Sequence, residues 1–292
     1  MTISGKILEP GIYVQPYMAV IPGTTRQDKQ TNLIPHLNEW KSLGVSGVAL
    51  HDFVGSMDIS KFESYGQLVI NHGMKVLAAF GLSKPDAARK GDWIAGVSLS
   101  PLCHGVLFDA EGSFDADGGK QAAIDMGHAF RAKAPQSLAI DQPWFAPLQH
   151  SSFPWKEFAA WIDVHAPQKY CNDFPQFGNQ AYEKVFAWSA KEWTQLNQRL
   201  VSENLVRPEI ITIQGYKWNS LSDLVNCLTT YPTIIIWCEF APDAITIRGL
   251  EIVQRLKTLG FIGPDAVKNY QKANGLTDDN SCGPLTIAKL GL

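Results

Sequence analysis

The sequence predicts a (β/α)8 barrel followed by a small three-helix domain, and three observations carry that expectation. Eight apolar runs begin near Gly11, Val45, Met74, Gly105, Ser137, Gln168, Glu209 and Pro232, about 32 residues apart, the spacing that eight βα units in a barrel of about 250 residues require. Stretches of helical periodicity separate the runs, and nearly every run ends in polar residues. The chain then changes character, with two Gly-Pro pairs, Gly263-Pro264 and Gly283-Pro284, placed to open short helices. The expected division is a barrel over residues 1–242 and a helical domain over 243–292.

Taken in order, the strands read as Ile12-Tyr13-Val14, Gly47 to Leu50, Lys75 to Ala78, Gly105 to Phe108, Ile210 to Ile213 and Thr233 to Trp237. Near-continuous apolar runs of this kind suit parallel strands covered on both faces. Between them, Gln30 to Leu43, Lys120 to Lys133 and Ala181 to Leu200 read as helices. A doubly wound open sheet is the alternative topology, but no Gly-rich phosphate loop follows the first strand, so a nucleotide site lacks support. After Glu239-Phe240 only Ala241-Pro242-Asp243 intervenes before Leu250, Ile252, Val253, Leu256 and Leu259 recur at helical spacing. The first helix of the small domain is therefore expected to pack on the barrel and close it. No Gly/Ser-rich or Pro-rich run supplies a flexible tether.

Composition narrows the classes. With 292 residues, 45% hydrophobic and 18% charged, the chain has enough apolar mass for one large core and a small one. No run approaches the eighteen or so apolar residues of a membrane span, and residues 1–6 open without an apolar export stretch, so no membrane partner is expected. The five cysteines are scattered and never form a Cys-x-x-Cys pair, which favours reduced, mostly buried thiols. Of the net charge of −3, residues 246–292 carry +2 and the rest −5, with no basic cluster for nucleic acid. No cofactor or metal is implied: the seven His form no His-Glu-x-x-His pair, and a calcium loop over Ser113 to Ile124 would lack acids at its first and twelfth positions.

Catalytic groups of such barrels sit at the carboxyl ends of the strands. Those ends carry Gln15, Tyr17, Asp52, Phe80, Asp109, Glu111, Asp141, Gln142, Asp173, Gln214, Tyr216 and Glu239. Trp144, Trp218, Trp237 and Phe174 share the rim and offer flat apolar surfaces for sugar rings. Gln15, Tyr17, Asp52, Trp144, Gln214, Tyr216, Trp218 and Trp237 form the expected substrate-binding set. The sharpest constellation is the apolar strand from Gly105 that ends in Asp109-Ala110-Glu111. A strand period of two puts both carboxyls on one side, their Cα atoms roughly 6.6 Å apart, so each disfavours ionisation of the other. Glycoside cleavage needs one protonated carboxyl for the leaving oxygen and a second acid for the opposite face. Glu111, with the longer reach, is the expected acid and Asp109 its modulator. Asp141, Asp173 and Glu239 remain open for the second role. The plainer reading makes Asp109 and Glu111 a helix cap or ion-pair partners, and Asp115 and Asp117 caps of the helix that begins near Lys120.

Tyr270, Gln271, Gly275 and Leu276, followed by Gly283, Pro284 and Thr286, resemble the peptidoglycan-binding domain of bacterial and phage wall hydrolases. The first Gly-Pro copy departs from that pattern, since Gly263-Pro264 is followed by Asp265-Ala266 with no Thr. Asp109-x-Glu111 is similar to the arrangement in family 25 lysozymes and, more distantly, family 18 chitinases. The first-strand acid that the lysozymes also use is replaced here, where Gln15 and Tyr17 stand. The resemblance implies a monomeric phage endolysin whose partner is peptidoglycan. Its barrel would cut next to N-acetylmuramic acid, and Tyr270, Gln271, Gly283 and Thr286 would serve wall binding. Such a chain is made in the host cytoplasm and reaches the wall through a holin-type pore. Two alternatives stay open: a barrel that has lost catalysis and only binds walls or builds a virion, and a glycosidase for another polysaccharide.

Overall fold

Parallel strands need a long crossover between them, and a helix follows nearly every strand here. The computed structural model describes residues 3–218 and 220–292; Met1 and Thr2, at the start read above for an export segment, lie outside them. The strands are β1 (Gly11–Pro16), β2 (Gly47–Phe53), β3 (Lys75–Gly81), β4 (Cys103–Asp109), β5 (Ala139–Asp141), β6 (Val164–His165), β7 (Ile211–Gln214) and β8 (Thr233–Cys238). All pair in parallel in the order β6-β5-β4-β3-β2-β1-β8-β7. Bonds from His165 N to Pro208 O (2.9 Å), Ile210 N to His165 O (2.8 Å) and Lys169 N to Thr212 O (2.7 Å) join β6 to β7 and complete the ring. The architecture is a (β/α)8 barrel with a small helical region at its carboxyl end.

The helices are α1 (Arg26–Ser42), α2 (Ile59–Asn71), α3 (Ala87–Ser98), α4 (Gly119–Lys133), α5 (Trp155–Ala159), α6 (Ala181–Leu200), α7 (Leu221–Thr230), α8 (Ala244–Thr258), α9 (Ala266–Ala273) and α10 (Pro284–Leu290). Helix α1 starts four residues before the periodicity suggests. Thr25 and Asp28 form a reciprocal capping box there, and that local bond outweighs the missing apolar signal. The sixth strand also departs from expectation. Its residues are Val164 and His165, because the polar Asp163 and His165 interrupt the apolar run that marks the other strands, and Gln168 lies beyond its end. Asp115 and Asp117 do not cap α4. Gly118, in the left-handed region at φ 80°, takes the cap position with no side-chain bond. Gly283 and Pro284 do open α10, with Pro in its first turn, whereas Pro264 lies in a turn and α9 begins at Ala266.

Two hydrophobic layers result. Tyr13, Ala49, Leu77, Ala79, Leu107, Ile140, Val164, Ala166 and Ile235 form the inner core, with Leu8 and Leu138 packed on it. The opposite faces of the strands meet the helices. Close approach there requires two glycines: a Cβ at Gly127 would fall 2.2 Å from the Trp161 ring, and one at Gly249 of α8 would fall 2.7 Å from Leu224 of α7. Helix α8 thus packs on α7 as the eighth helix around the barrel. Helices α9 and α10 rest on this pair, tied by Ser222 Oγ to Cys282 N (2.8 Å) and by Arg255 Nε to Leu290 O (2.9 Å). All five cysteines are unpaired; Cys103 is half-buried and the others buried. Among the described residues no helix is long and apolar enough to cross a membrane.

One buried ion pair fixes the opening segment of the chain. Arg131 Nη2 lies 2.8 Å from Asp163 Oδ2, and Asp163 also accepts from the backbone amides of Ser4 (2.8 Å), Gly5 (3.2 Å) and Ala139 (2.9 Å). Asp163→Ala would leave a buried guanidinium without its counter-charge, so a loss of about 3–5 kcal/mol is expected from urea unfolding. Ser4→Ala removes one partly buried hydroxyl bond to Asp163 and one exposed bond from Lys6 N, and is expected to cost about 1 kcal/mol.

Candidate active site

The mouth of the barrel holds a cavity of about 540 Å³ lined by His51, Asp109, Glu111, Trp144, Phe145, His150, Gln168, Tyr170, Asp173, Phe174 and Trp237. Strand β4 delivers the two acids. Asp109 ends the strand, in register with Gly81. Glu111 stands two residues beyond, in a turn held by Phe114 N on Glu111 O (2.8 Å). A single amide connects their carboxyls: Gln168 Nε2 lies 3.0 Å from Asp109 Oδ1 and 2.7 Å from Glu111 Oε1, and is itself steadied by Gln142 O at 2.9 Å. Below it, Gln142 and Gln15 exchange two side-chain bonds (2.6 and 2.9 Å), and Gln142 also donates to Thr212 Oγ1 (3.1 Å). The site therefore rests on a hydrogen-bonded polar layer inside the barrel.

Burial dominates the electrostatics. It pushes Asp109 well above the usual carboxylate range, the charge of Glu111 adds to the rise, and the Gln168 bond offsets only part of it. Glu111 is raised too, first by burial, against the opposing pull of Gln168 and His150. Burial raises Asp173 as well. His51 goes the other way, down to about 4, so it is neutral near pH 7. Its Nε2 lies 3.7 Å from Asp109 Oδ2, too far for a hydrogen bond, and with a neutral ring the contact is not an ion pair. Tyr170 is held protonated, raised by burial and then by Asp109 and Glu111.

The expected residues divide by the side of the sheet they face. Asp109, Glu111, Asp173, Trp144 and Trp237 line the cavity. Trp237 sits between Tyr170 (6.1 Å between ring centroids) and Tyr216 (5.7 Å), and Trp144 stacks on His150 (3.8 Å, planes 6° apart). Tyr17 packs on His51 and Phe53 at the edge of the mouth. Gln15 and Gln214 point inward but are fully buried beneath the site, where Gln214 Oε1 accepts from Cys171 N (3.1 Å). They support the floor and present no surface to a substrate.

Asp141 does not belong to the site. It pairs in register with Phe108, whose ring packs outward on Phe130 and Trp161, so the strand pleat turns Asp141 toward the helices too. There it is fully buried and 2.7 Å from His165 Nδ1. Asp52 is likewise out of phase. It pairs in register with the outward-facing Phe80 and binds Lys61 of α2 at 2.5 Å. Trp218 is buried, with its indole nitrogen on Gln214 O (2.8 Å). Glu239 is exposed and stands outside the cavity lining. In the helical region Tyr270, Gln271 and Thr286 are buried. Gln271 organises the loop that follows α9, donating to Asp279, Ser281 O and Thr286 and accepting from Asn280 N (3.0 Å). With Gly283 and the exposed Leu285, Gln271 and Thr286 line a small cavity of about 180 Å³. Tyr270, edge-on to Phe261, does not reach it.

No family model and no curated protein matches the chain. Solved structures do match its backbone. A β-galactosidase from the psychrophilic Marinomonas ef1 superposes with a TM-score of 0.57 at 8% identity, covering 92% of this chain and 61% of that one. An endoglucanase from Pseudomonas stutzeri gives a TM-score of 0.55 at 12% identity, covering 84% and 93%. The likeness is one of fold.

Gln168, His51, His150 and Tyr170 escaped the sequence reading as site residues. Inward phase relative to Asp109 was the available signal for His51. Gln168 reads as the start of the sixth apolar run, whereas it lies past the end of β6 at the mouth, and His150 lies in a loop with no strand pattern. Removing the shared donor with Gln168→Ala is expected to raise both carboxyl pKa values further, visible in 13C carboxyl titrations. Because the folded pKa of Asp109 is raised, its contribution to stability is fully present below the unfolded value of about 3.9 and is lost as pH rises through the folded value. Asp109→Asn should therefore narrow the difference in melting temperature between pH 4 and pH 8.

Proposed function

We propose that this chain is a glycoside hydrolase that cleaves a polysaccharide strand by acid catalysis from Glu111. The observation that carries this reading is the Gln168 amide shared by two half-buried carboxyls, both raised in pKa, at the floor of an aromatic-lined cavity. A carboxyl whose pKa is raised by burial holds its proton to higher pH and can pass it to a leaving oxygen. Glu111 has the reach and an open face. Asp109, deeper and tied to the same amide, is itself kept from ionising by burial and by the charge of Glu111, while the charge of Asp173 adds to the rise of Glu111. Of the three carboxylates left open for the second role, Asp173 alone lines the cavity, where its negative charge would offset positive charge developing on the sugar ring.

Peptidoglycan is the proposed substrate and an N-acetylmuramidase the proposed activity, supported by the likeness of the last residues to wall-binding domains. On this reading the chain acts as an endolysin, released to the wall through a holin-type pore. The Gln271-bound loop supports a wall-contacting role for the small cavity beside it, with Leu285 and Gly283 as accessible contacts. A second reading keeps the chemistry and changes the polymer. The two named structural neighbours, a galactosidase and an endoglucanase, favour glycoside cleavage in this wider sense.

Glu111→Gln is expected to lower the release of new reducing ends from purified peptidoglycan at least about 100-fold while wall sedimentation of the protein is unchanged. Wild type and variant clearing walls equally, or neither doing so, would replace catalysis with adhesion. Cleavage of chitin or cellulose oligosaccharides in place of walls would select the second polymer class.

A further inference from the structure

We propose that His150, oriented by Asp115, takes the proton from the water that attacks the sugar in this cavity; the proposal rests on the reading of the chain as a glycoside hydrolase. His150 lines the same cavity as Glu111 and Asp173. Its Nδ1 lies 2.9 Å from Asp115 Oδ2, and the other Asp115 oxygen accepts from Ser152 Oγ. A carboxylate on Nδ1 selects the tautomer in which Nδ1 carries the proton and Nε2 the lone pair. An imidazole whose tautomer and direction are set by a carboxylate behind it is the arrangement of an oriented general base.

Three further features fit this role. The ring is clamped flat against Trp144, 3.8 Å away with planes 6° apart, so rotation of the imidazole would break the stack. Burial pushes the Asp115 carboxyl up, but the bonds from Ser152 and His150 outweigh it and hold the group below its ordinary value, so it stays ionised beside the ring. Positive charge on His150 lowers the pKa of Glu111, so the proton that His150 gains favours the one that Glu111 gives up. Asp173, by contrast, is exposed, and among the described residues no hydrogen bond orients its carboxyl.

In the step so defined, the water oxygen forms a bond to the anomeric carbon and the bond from that carbon to the leaving oxygen breaks, its electron pair staying on the oxygen. Glu111 gives its proton to that oxygen, and His150 Nε2 takes the water proton. His150 then returns its proton to solvent and Glu111 regains one. A single displacement inverts the anomeric carbon.

The test uses the full chain on whichever of purified peptidoglycan, chitin oligosaccharides and cellulose oligosaccharides the wild type cleaves. His150→Phe keeps a flat ring on Trp144 and removes the nitrogen. Its kcat is expected to fall about 100-fold with KM within about threefold of wild type. Azide, a nucleophile that needs no deprotonation, should restore the rate and give a glycosyl azide of inverted configuration. Asp173→Asn is expected to lose rate without azide rescue. A wild-type kcat in His150→Phe, or azide rescue confined to Asp173→Asn, would overturn the assignment and leave glycoside cleavage standing. The wild type gives a second reading that needs no variant: proton NMR of the first-formed anomer should show inversion, and retention would refute the base role. Cleavage of none of the three polymers removes the glycosidase reading and the role of His150 with it.

Discussion

The two-residue pleat of the parallel strands decides which side chains of this barrel can do chemistry. Each strand turns alternate residues toward the barrel axis and toward the helices, and registered neighbours share the same sense. Asp109 faces inward, so Gln142 and Thr212, which share its bonded layer, face inward as well. Phe108 faces the helices, and so must Asp141, its registered partner. One residue of phase therefore separates a carboxyl that lines an open cavity from one buried against an imidazole between sheet and helix. The same phase sends Asp52 to Lys61 and leaves His51, its neighbour in sequence, at the mouth.

Within the mouth, the balance between desolvation and hydrogen bonding sets the protonation of the acids. Gln168 is well suited to that balance because its amide donates to both carboxyls without carrying charge. A Lys or Arg in its place would pair with them and drive both pKa values down, by 1–3 units for a close opposite charge, leaving no proton to give. A purely apolar neighbour would leave two buried acids unbonded. The neutral amide keeps them bonded and lets burial prevail. The Gln15, Gln142 and Thr212 bonds beneath fix the carbonyl on which Gln168 leans, so the inward polar layer positions the amide from below.

Much of the fold was legible because its signals are local and repeated: apolar runs near every 32 residues, and helices such as Ala181–Leu200 whose bounds match their periodicity. Strand β6 was less legible because His165 and Asp163 are polar yet buried, each bonded to a partner distant in sequence, Asp141 on His165 Nδ1 and Arg131 on Asp163. For the site, the Asp109-x-Glu111 spacing pointed to two carboxyls that both line the mouth. The selection of Asp141 and Asp52 ignored pleat phase, which the sequence contains once one inward residue is known. Gln168 and His150 are of another kind. They lie on segments past the short strands β6 and β5, and the side-by-side pairing of β4, β5 and β6 brings them beside the acids of β4.

The position of the helical region relative to the mouth follows from the direction of α7. In a (β/α)8 barrel each helix starts at the catalytic face, just after its strand, and runs to the opposite end. Ser222 lies in the first turn of α7, and it holds Cys282 N in the loop beside the small cavity. That loop is therefore anchored near the catalytic end, although α9 starts at the far end, where Phe261, Ile262 and Gly263 meet Pro10 and Leu228 across a crevice. Hydrogen bonds donated by Arg255 and Asn226 and one accepted by Ser222 from Cys282 N fix this placement without a tether. A polymer bound at the small cavity would then meet the mouth at a set distance and angle. The gain in local concentration that a flexible linker spreads over many geometries would here be confined to one, so it would favour only substrates stiff and long enough to span both sites.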